Sequence, residues 1–316
     1  MKKYFSIGAA AALLVLASCG SQEVQNVSDF SEELLPLQIE TAIAGGSSSR
    51  SSDVKDSFVD GDVIGFFAFA SETLYSWTYS GTDGWEASAA MYWPTKSSAY
   101  DFYAFYPYDE SAVPSNVPMP DLSEQTGTYD EAFDFIAASN NCSYSATSSG
   151  KVSFSGDNAF KHAYSMLSLD FTNGVGEELT LNTVTVSLDG MLTQQYYDFT
   201  GSGACTTGES VDEITFTPSS TVDDEGSTSI ILLTNAVSYD ESTPLTVTIS
   251  YSHGGTDYSA SASASVTGLA ESTNYYISLA IAKNTLSITD LTIDDWEEDS
   301  MDNVTLIEEE ATDEEN

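Results

Sequence analysis

Apolar and polar residues alternate with a period of two along most of this chain, a pattern typical of β-strands that bury one face. The clearest early example is Leu35 to Ile43, where polar Gln38 and Glu40 lie between residues of the opposite face. The residues of that face are Leu35, Leu37, Ile39, Thr41 and Ile43. Gly45, Gly46 and a run of serines follow, so we predict a half-buried strand that ends in a flexible linker.

Two further segments of the first half are richer in aromatic residues. The turn signal DGD at residues 60–62 precedes a continuous apolar run, Val63 to Phe69, which is suited to a strand covered on both faces. In Asp101 to Glu110 aromatic residues occupy both faces, which predicts the central strand of a sandwich. An alternative is a set of exposed, stacking aromatics that binds sugar. Residues 129–139, YDEAFDFIAAS, are predicted to form a short helix.

The second half continues the alternation, with turn signals at the spacing of a β-sandwich. Its predicted strands are LTLNTVTVSL, DEITFTP, STSIILLTN, LTVTISY, YSASASASV and NYYISLAIA. Residues 173–178, NGVGEE, are a candidate seam between domains, and Leu286 to Trp296 is predicted to form a last strand pair. Since no segment sustains a long helical pattern, we predict an all-β chain of two tandem β-sandwich domains.

The start of the chain has the features of a bacterial lipoprotein signal peptide. Lys2 and Lys3 supply the positive start, Ile7 to Leu16 is a short apolar core, and the motif LASC ends at Cys19. We predict that a peptidase cuts between Ser18 and Cys19 and that the cysteine sulfur then carries diacylglycerol. The alternative is an ordinary secretory signal in which the cysteine is incidental. The apolar run is too short for an ordinary transmembrane helix.

The charge of the chain excludes some partners. Forty-nine acidic residues against eight basic ones give a formal net charge of −41, which repels nucleic acid and anionic membrane surfaces. Apolar residues make up 41% of the chain and aromatic residues 12%, too much apolar surface for a disordered coil. We therefore predict a folded, exported protein with an acidic surface and no nucleic-acid partner.

Few residues are suited to catalysis or metal binding. The two histidines, His162 and His253, occur without a nucleophile motif, a phosphate-binding loop or paired metal-ligand spacing, so both are interpreted as structural. Acidic turns could hold calcium, although none has the spacing of a calcium loop. Cys142 and Cys205 are interpreted as buried free thiols, with a disulfide between them as the alternative. We predict neither an enzyme nor a cofactor.

Arg50 is the only arginine, and it lies in the Gly/Ser linker after the first predicted strand. An exposed arginine in a flexible segment is a good target for a trypsin-like protease. Cutting there would release Leu35 to Ile43 and leave an apolar groove with unpaired edges, which an extended segment of another subunit could fill. The alternative is that Arg50 is one more surface residue in a linker.

Several motifs together resemble the fimbrillins, the pilin-like lipoproteins that form type V pili in the Bacteroidales. The motifs are the lipobox ending at Cys19, FVDGDVIGFFAF, MYWP followed by DFYAFYPY, FKHAYSMLSLDF, and NYYISLAI followed by ITDLTIDDW. The resemblance implies transthyretin-like β-sandwich domains, an acylated precursor in the outer membrane, and cleavage by an arginine-specific protease between Arg50 and Ser51. It further implies assembly with other pilus subunits by donor-strand insertion, giving a surface fimbrium that mediates adhesion to a host or bacterial receptor.

On this basis the chain divides into five segments. They are the signal peptide 1–18, the propeptide 19–50 with its tether and removable strand, the N-terminal domain 51–172, the C-terminal domain 173–297, and the acidic tail 298–316. The tail is a candidate donor strand, but its apolar positions are few; they are Met301, Val304, Leu306 and Ile307. One alternative is therefore a tip or accessory subunit, which accepts a strand without donating one. Another is a glycan- or protein-binding lipoprotein that stays anchored through Cys19.

Overall fold

The computed structural model describes residues 34–44, 54–201, 203–205 and 210–295. Ser18, Cys19, Arg50, Ser51 and the tail 298–316 lie outside these residues. Within the described part of the chain the extended elements are all β-strands, so the predicted all-β class is confirmed. The helical elements described are short 3-10 turns at Gly81–Asp83, Leu122–Glu124, Tyr144–Ala146 and Gly156–Asn158. None of the described helices has the length and hydropathy needed to cross a membrane.

The strands of the first half alternate with long loops. They are β1 (Gln38–Thr41), β2 (Val63–Ala68), β3 (Tyr75–Tyr79), β4 (Trp85–Ala87), β5 (Ala99–Tyr106), β6 (Val117–Pro118), β7 (Ile136–Ser143), β8 (Lys151–Phe154) and β9 (Lys161–His162). Six of them form a mixed-length sheet in the order β4-β3-β2-β5-β7-β9, and β1 pairs in parallel with β8 in a separate sheet. These two sheets enclose one core, and together they are called the N-terminal sandwich below.

The aromatic-rich strands lie where the pattern predicted. Strand β5 is central, hydrogen-bonded to β2 on one side and to β7 on the other. Apart from partly exposed Val63, every residue of β2 is buried, which agrees with the continuous apolar run. Gly65 of β2 is required there, because a Cβ at this position would lie 2.1 Å from the Phe105 ring.

The predicted helix at residues 129–139 is wrong. Residues 131–133 form turns and a bend, and Ile136 begins strand β7. Ile136 and Ala138 face the core of the N-terminal sandwich, while Phe135 and Ala137 face a second cluster on the other side of the sheet. The period of two therefore holds in this segment, but it is hidden because both faces are apolar.

The second half supplies the remaining strands. They are β10 (Tyr164–Asn173), β11 (Leu179–Leu192), β12 (Tyr196–Asp198), β13 (Gly203–Cys205), β14 (Ser210–Phe216), β15 (Ser220–Val222), β16 (Ser227–Asn235), β17 (Val237–His253), β18 (Thr256–Leu269), β19 (Thr273–Ala282) and β20 (Thr285–Asp295). One sheet has the order β16-β10-β19-β20; the other has the order β14-β11-β17-β18, with β15 also paired to β11. Both sheets contribute to a single aliphatic core, and they are called the C-terminal sandwich.

The strand pairing places β10, before the predicted boundary at residue 173, in the second sandwich. The predicted boundary at residue 173 leaves Tyr164–Asn173 in the first domain, yet this strand pairs in parallel with β19 and antiparallel with β16. The pairing of the second sandwich therefore begins at Tyr164. The division of the chain into two domains stays a prediction, since a third apolar cluster joins the halves: Phe67, Phe105 and Phe135 pack with Met166 and Leu233.

Candidate functional site

The segment Leu35–Ile43, which contains strand β1, fills part of the core of the N-terminal sandwich. Its inward side chains are nearly inaccessible: Leu35 is 8% exposed, Leu37 5%, Ile39 6% and Ile43 8%. Residues 36, 38, 40 and 42 between them are exposed. The predicted alternation from Leu35 to Ile43 is thus confirmed. Burial of an aliphatic side chain of this size contributes about 1.5 to 3 kcal/mol, so the segment stabilises the fold substantially.

The backbone of this segment pairs with distant parts of the chain. Near its start, Leu37 N–H donates to the Met91 carbonyl over 2.9 Å, and Trp93 N–H donates to the Leu35 carbonyl over 2.9 Å. Further along, β1 runs parallel to β8, and Ala42 N–H donates to the Phe154 carbonyl over 2.8 Å. The strand is therefore held by partners that lie far away from it in sequence.

Aromatic rings form the surface that the strand covers. Phe66, Phe102, Phe154 and Phe160 are fully buried, and Trp77 is 3% exposed. They pack edge to face, as between Phe66 and Phe154, whose ring centroids lie 6.2 Å apart at 84°. This surface, together with the backbone groups that pair with residues 35–44, is called the first-strand groove. Without an occupant it would present apolar rings and unpaired strand edges to water.

Thr41 breaks the aliphatic pattern of the inward face. It is half-buried, and its Oγ1 accepts a hydrogen bond of 3.0 Å from the indole N–H of Trp85. Trp85 packs against Phe58 and Tyr79, with ring centroids 5.0 and 5.1 Å away. Beside this contact a cleft of about 730 Å³, open to solvent, runs along β1. Its lining includes Ile39, Thr41, Phe58 and Trp85. The free edge of β1 is thus partly open to solvent.

A buried lysine fixes the chain that follows the linker. Lys55 is 5% exposed, and its ammonium lies 2.9 Å from a carboxylate oxygen of Asp62 and 3.0 Å from one of Glu131. It also lies 4.5 Å from the centroid of the Tyr106 ring, within the range of a cation–π interaction. Burial alone lowers the pKa of Lys55, but the hydrogen bonds to Asp62 and Glu131 outweigh burial, and the net pKa is raised.

The backbone of Lys55 is held as well as its side chain. Its N–H donates to the Tyr129 hydroxyl over 3.0 Å, and that hydroxyl donates to Asp134 over 2.8 Å. The same oxygen of Asp134 lies 2.8 Å from Nδ1 of His162, and both of these side chains are buried. Burial, with the charge of Asp134, raises the pKa of Tyr129 well above its usual range, which keeps the hydroxyl protonated as a donor.

Both histidines make structural contacts. His162 belongs to the Lys55 network, and Nδ1 of His253 lies 2.8 Å from Glu177 while its ring stacks on Tyr258 at 4.4 Å. Among the described residues, no group of His, Cys, Asp or Glu side chains is arranged to hold a metal ion. Cys142 is a free thiol whose pKa is raised by burial; the side chain of Cys205 is not among the described ones.

The tyrosines of β5 and the loop after it do not share a surface. Tyr103 packs on the same side of the sheet as Phe105 and stacks on Phe199 at 5.0 Å. Tyr106 packs on the opposite side, beneath Lys55. Tyr108 is exposed, at 38%. A continuous sugar-binding platform built from these rings is therefore absent from the described structure.

Two features of this site were not found from the sequence. The buried ion pairs of Lys55 were not predicted, because a single lysine before a turn carries no periodic signal. Its partners Asp62 and Glu131 also come from separate loops. The hydrogen bond between Thr41 and Trp85 joins residues far apart in sequence, so no local pattern predicts it. The sequence does contain one signal for this contact: Thr41 is a polar residue on the otherwise aliphatic face of the strand. Arg50 and Cys19 lie outside the described residues, and the roles predicted for them stay predictions.

The comparisons with known proteins agree with this fold. The sequence matches the Fimbrillin-like family over residues 49–296. A candidate cell adhesion protein from Bacteroides uniformis ATCC 8492 is similar in structure, with a TM-score of 0.54 and 18% identity, over 83% of this chain and 99% of that one. A second candidate cell adhesion protein, from Bacteroides ovatus ATCC 8483, gives a TM-score of 0.55 and 16% identity, over 84% of this chain and 99% of that one.

A fimbrial protein from Bacteroides vulgatus ATCC 8482 is also similar, with a TM-score of 0.52 and 12% identity, over 74% of this chain and 92% of that one. A search of curated proteins gives no match to this sequence. These structural likenesses define the class, an all-β fold that the chain shares with these three proteins. The family match covers most of the chain, and the chain belongs to the fimbrillin-like family. That membership confirms the resemblance inferred from the motifs and supports a pilus or adhesion subunit, which is a structural role.

Proposed function

We propose that this chain is a structural subunit of a type V pilus, exported as an outer-membrane lipoprotein with its lipid on Cys19. An arginine-specific protease cuts between Arg50 and Ser51, the propeptide leaves with residues 35–43, and an extended segment of another pilus subunit enters the first-strand groove. The assembled fimbrium mediates adhesion. After this maturation the subunit would consist of the two predicted domains, 51–172 and 173–297, and the tail 298–316, with strand β10 pairing into the second sandwich.

The observation that carries the proposal is the position of Leu35–Ile43. This segment buries its apolar face in the core, yet the backbone partners described for it lie far away in sequence, at Met91–Trp93 and Lys151–Phe160. Its one covalent link to the described fold is the linker that contains Arg50. A cut in that linker would convert an internal strand into a separable ligand.

The Lys55 network supports the same assignment. Once the chain is cut after Arg50, residues downstream would be free to detach unless something held them. Lys55 lies shortly after the cut and is held by two carboxylates and by the Tyr129 hydroxyl. This arrangement lets the upstream segment leave while the groove wall that contains Phe58 stays in place.

Whether the subunit donates a strand depends on its tail. Donor strands need apolar residues at alternating positions, and residues 298–316 offer few of them among many carboxylates. This composition favours a tip or accessory subunit, which accepts a strand only. A lipoprotein that stays anchored through Cys19 and binds glycan is less well supported, because Tyr103 and Tyr106 lie on opposite sides of the sheet.

Treatment of the purified precursor with an arginine-specific protease tests the proposal. The wild type should yield a single N-terminal fragment ending at Arg50 and then form larger assemblies, detected by mass spectrometry and by light scattering. Arg50→Lys should resist the arginine-specific protease and regain cleavage with trypsin, which separates loss of the site from loss of the fold. If wild type and Arg50→Ala release the same fragments and assemble equally, the maturation step is wrong.

Donation by the tail is tested separately. A variant lacking Ser300 to Asn316 is cut with the same protease and its assemblies are measured. Undiminished assembly would exclude the tail as the donor and favour another source for the inserted segment. Complete loss of assembly, with cleavage unchanged, would identify the tail as the donor strand of this subunit.

A further inference from the structure

The first-strand groove contains one polar group, the indole N–H of Trp85, among its apolar contacts. At the inward phase of the strand, Leu35, Leu37, Ile39 and Ile43 are buried against rings and aliphatic side chains. Thr41 alone presents an oxygen, and Trp85 donates to it over 3.0 Å. Since an indole N–H can only donate, a strand in the groove pairs with Trp85 only if it supplies an acceptor at this position.

The ring of Trp85 is held in place by residues outside the strand. Its ring is partly buried, set between Phe58 and Tyr79 and packed on the aromatic core. Phe58 is in turn packed against Phe160 at 5.1 Å, so the indole is held by the fold and not by the strand. When the strand leaves, the N–H stays at the groove and faces the next occupant.

We propose that Trp85 selects the inserted strand by requiring a hydrogen-bond acceptor at the position of Thr41. This inference rests on the proposed strand-insertion function and adds the chemistry of the partner. The partner is an extended segment of another subunit with aliphatic residues at the positions of Leu37 and Ile39. At the position of Thr41, two residues after that of Ile39, the partner carries Ser, Thr, Asn, Asp, Gln or Glu. An aliphatic residue at that position leaves a partly buried donor unpaired, which lowers affinity.

The tail of the chain itself contains the centre of this pattern. Val304 and Leu306 are two residues apart, and Glu308 follows two residues later with carboxylate oxygens that accept hydrogen bonds. Aligned on Leu37, Ile39 and Thr41, this register places Asp302 and Glu310 at the outer positions. The tail therefore satisfies the acceptor requirement while lacking the outer aliphatic residues, which makes it a weaker ligand than the native strand.

The test is a competition experiment with the mature protein, obtained by cutting the full-length precursor at Arg50 and releasing the propeptide. Labelled peptides spanning residues 34–44 carry the native sequence, Thr41→Val or Thr41→Ser, and the protein carries either Trp85 or Trp85→Phe. Valine matches threonine in shape and branching but lacks the acceptor, and serine keeps the hydroxyl. The measured quantity is the ratio of the dissociation constants of the valine and native peptides.

This ratio should be about threefold to tenfold higher with Trp85 than with Trp85→Phe, the value expected for one net hydrogen bond. The serine peptide should discriminate between the two proteins as the native peptide does. Equal ratios in both proteins would overturn the proposal. So would a serine peptide that behaves like the valine peptide on the wild-type protein, a comparison that does not depend on the folding of Trp85→Phe. If the native peptide does not enter the wild-type groove at all, the strand-insertion function fails and the selection rule fails with it.

Discussion

The two sandwiches of this protein are completed in different ways. The core of the C-terminal sandwich is mostly aliphatic and is built from strands that lie between Tyr164 and Asp295. The core of the N-terminal sandwich is rich in aromatic rings, and it is closed by residues 35–43 from before the linker. Among the described residues, the core of the C-terminal sandwich therefore includes none from before the linker, while the core of the N-terminal sandwich depends on a segment that a single cut could detach.

One polar contact from each sandwich illustrates this difference. On the outer face of the C-terminal sandwich, short cross-strand pairs such as Thr248 with Ser261, 2.8 Å apart, lie in partly exposed positions. In the N-terminal sandwich the segment after the linker carries the buried ammonium of Lys55, which two carboxylates and the Tyr129 hydroxyl hold in place. Buried ion pairs are weak evidence for added stability, but they fix one arrangement strongly because breaking them is costly. The Lys55 network thus fixes the chain beside the predicted cut.

The largest expected effect is that of Lys55→Met. Removal of the ammonium leaves Asp62 buried without a cationic partner, and we expect the free energy of unfolding to fall by about 3 to 5 kcal/mol. Urea denaturation followed by tryptophan fluorescence measures this loss. The matched control is Lys151→Met, since the side chains of Lys151 and Glu40 are 40% and 52% exposed and their charged groups lie 3.9 Å apart; its loss should stay within about 1 kcal/mol. Equal losses in the two variants would contradict the role given to Lys55.

The same residue predicts an alkaline pH dependence. The pKa of Lys55 is raised in the folded state, so its contribution to stability is complete below the unfolded pKa of about 10.4. That contribution is lost as the pH rises through the higher folded pKa. The difference in unfolding free energy between wild type and Lys55→Met should therefore shrink at strongly alkaline pH. A difference that stays constant over this range would show that the ammonium charge is not what stabilises the site.

The next effect compares one core residue from each sandwich. Ile39→Ala and Leu232→Ala should each cost about 2 to 5 kcal/mol in the uncut precursor, because both side chains are buried. After cleavage at Arg50 and release of the propeptide, the cost of Ile39→Ala should disappear, while that of Leu232→Ala should remain. Thermal denaturation before and after cleavage measures both. Persistence of the Ile39→Ala effect would mean that residues 35–43 stay in the groove.

The sequence predicted the strands and their faces better than their partners. Alternation located Leu35–Ile43 and its buried face, and the apolar run predicted β2, because both signals depend on residues next to one another in the chain. The parallel pairing of β10 with β19 and the contacts of Lys55 depend on segments far apart, which periodicity does not encode. The missed strand β7 is a third case: with both faces apolar, its alternation does not appear in the sequence. The candidate site was therefore predicted as a strand and a linker, without the residues that hold and select its occupant.

The smallest expected effect tests whether the C-terminal sandwich is independent of the first strand. Thr248→Val removes the hydroxyl that pairs with Ser261 but keeps the branched shape, so we expect a loss within about 1 kcal/mol. The loss should be the same before and after cleavage at Arg50, since no residue of β1 contributes to the core around β17. Thr41→Val offers the contrast, because its effect on stability should be confined to the precursor. Denaturation curves of Thr248→Val and Thr41→Val, recorded before and after cleavage at Arg50, would show whether the stability of the C-terminal sandwich depends on the first strand. A change in the Thr248→Val effect on cleavage would mean that loss of the first strand is felt through the shared cluster of Phe67, Phe135 and Met166, and that the second sandwich is not self-contained.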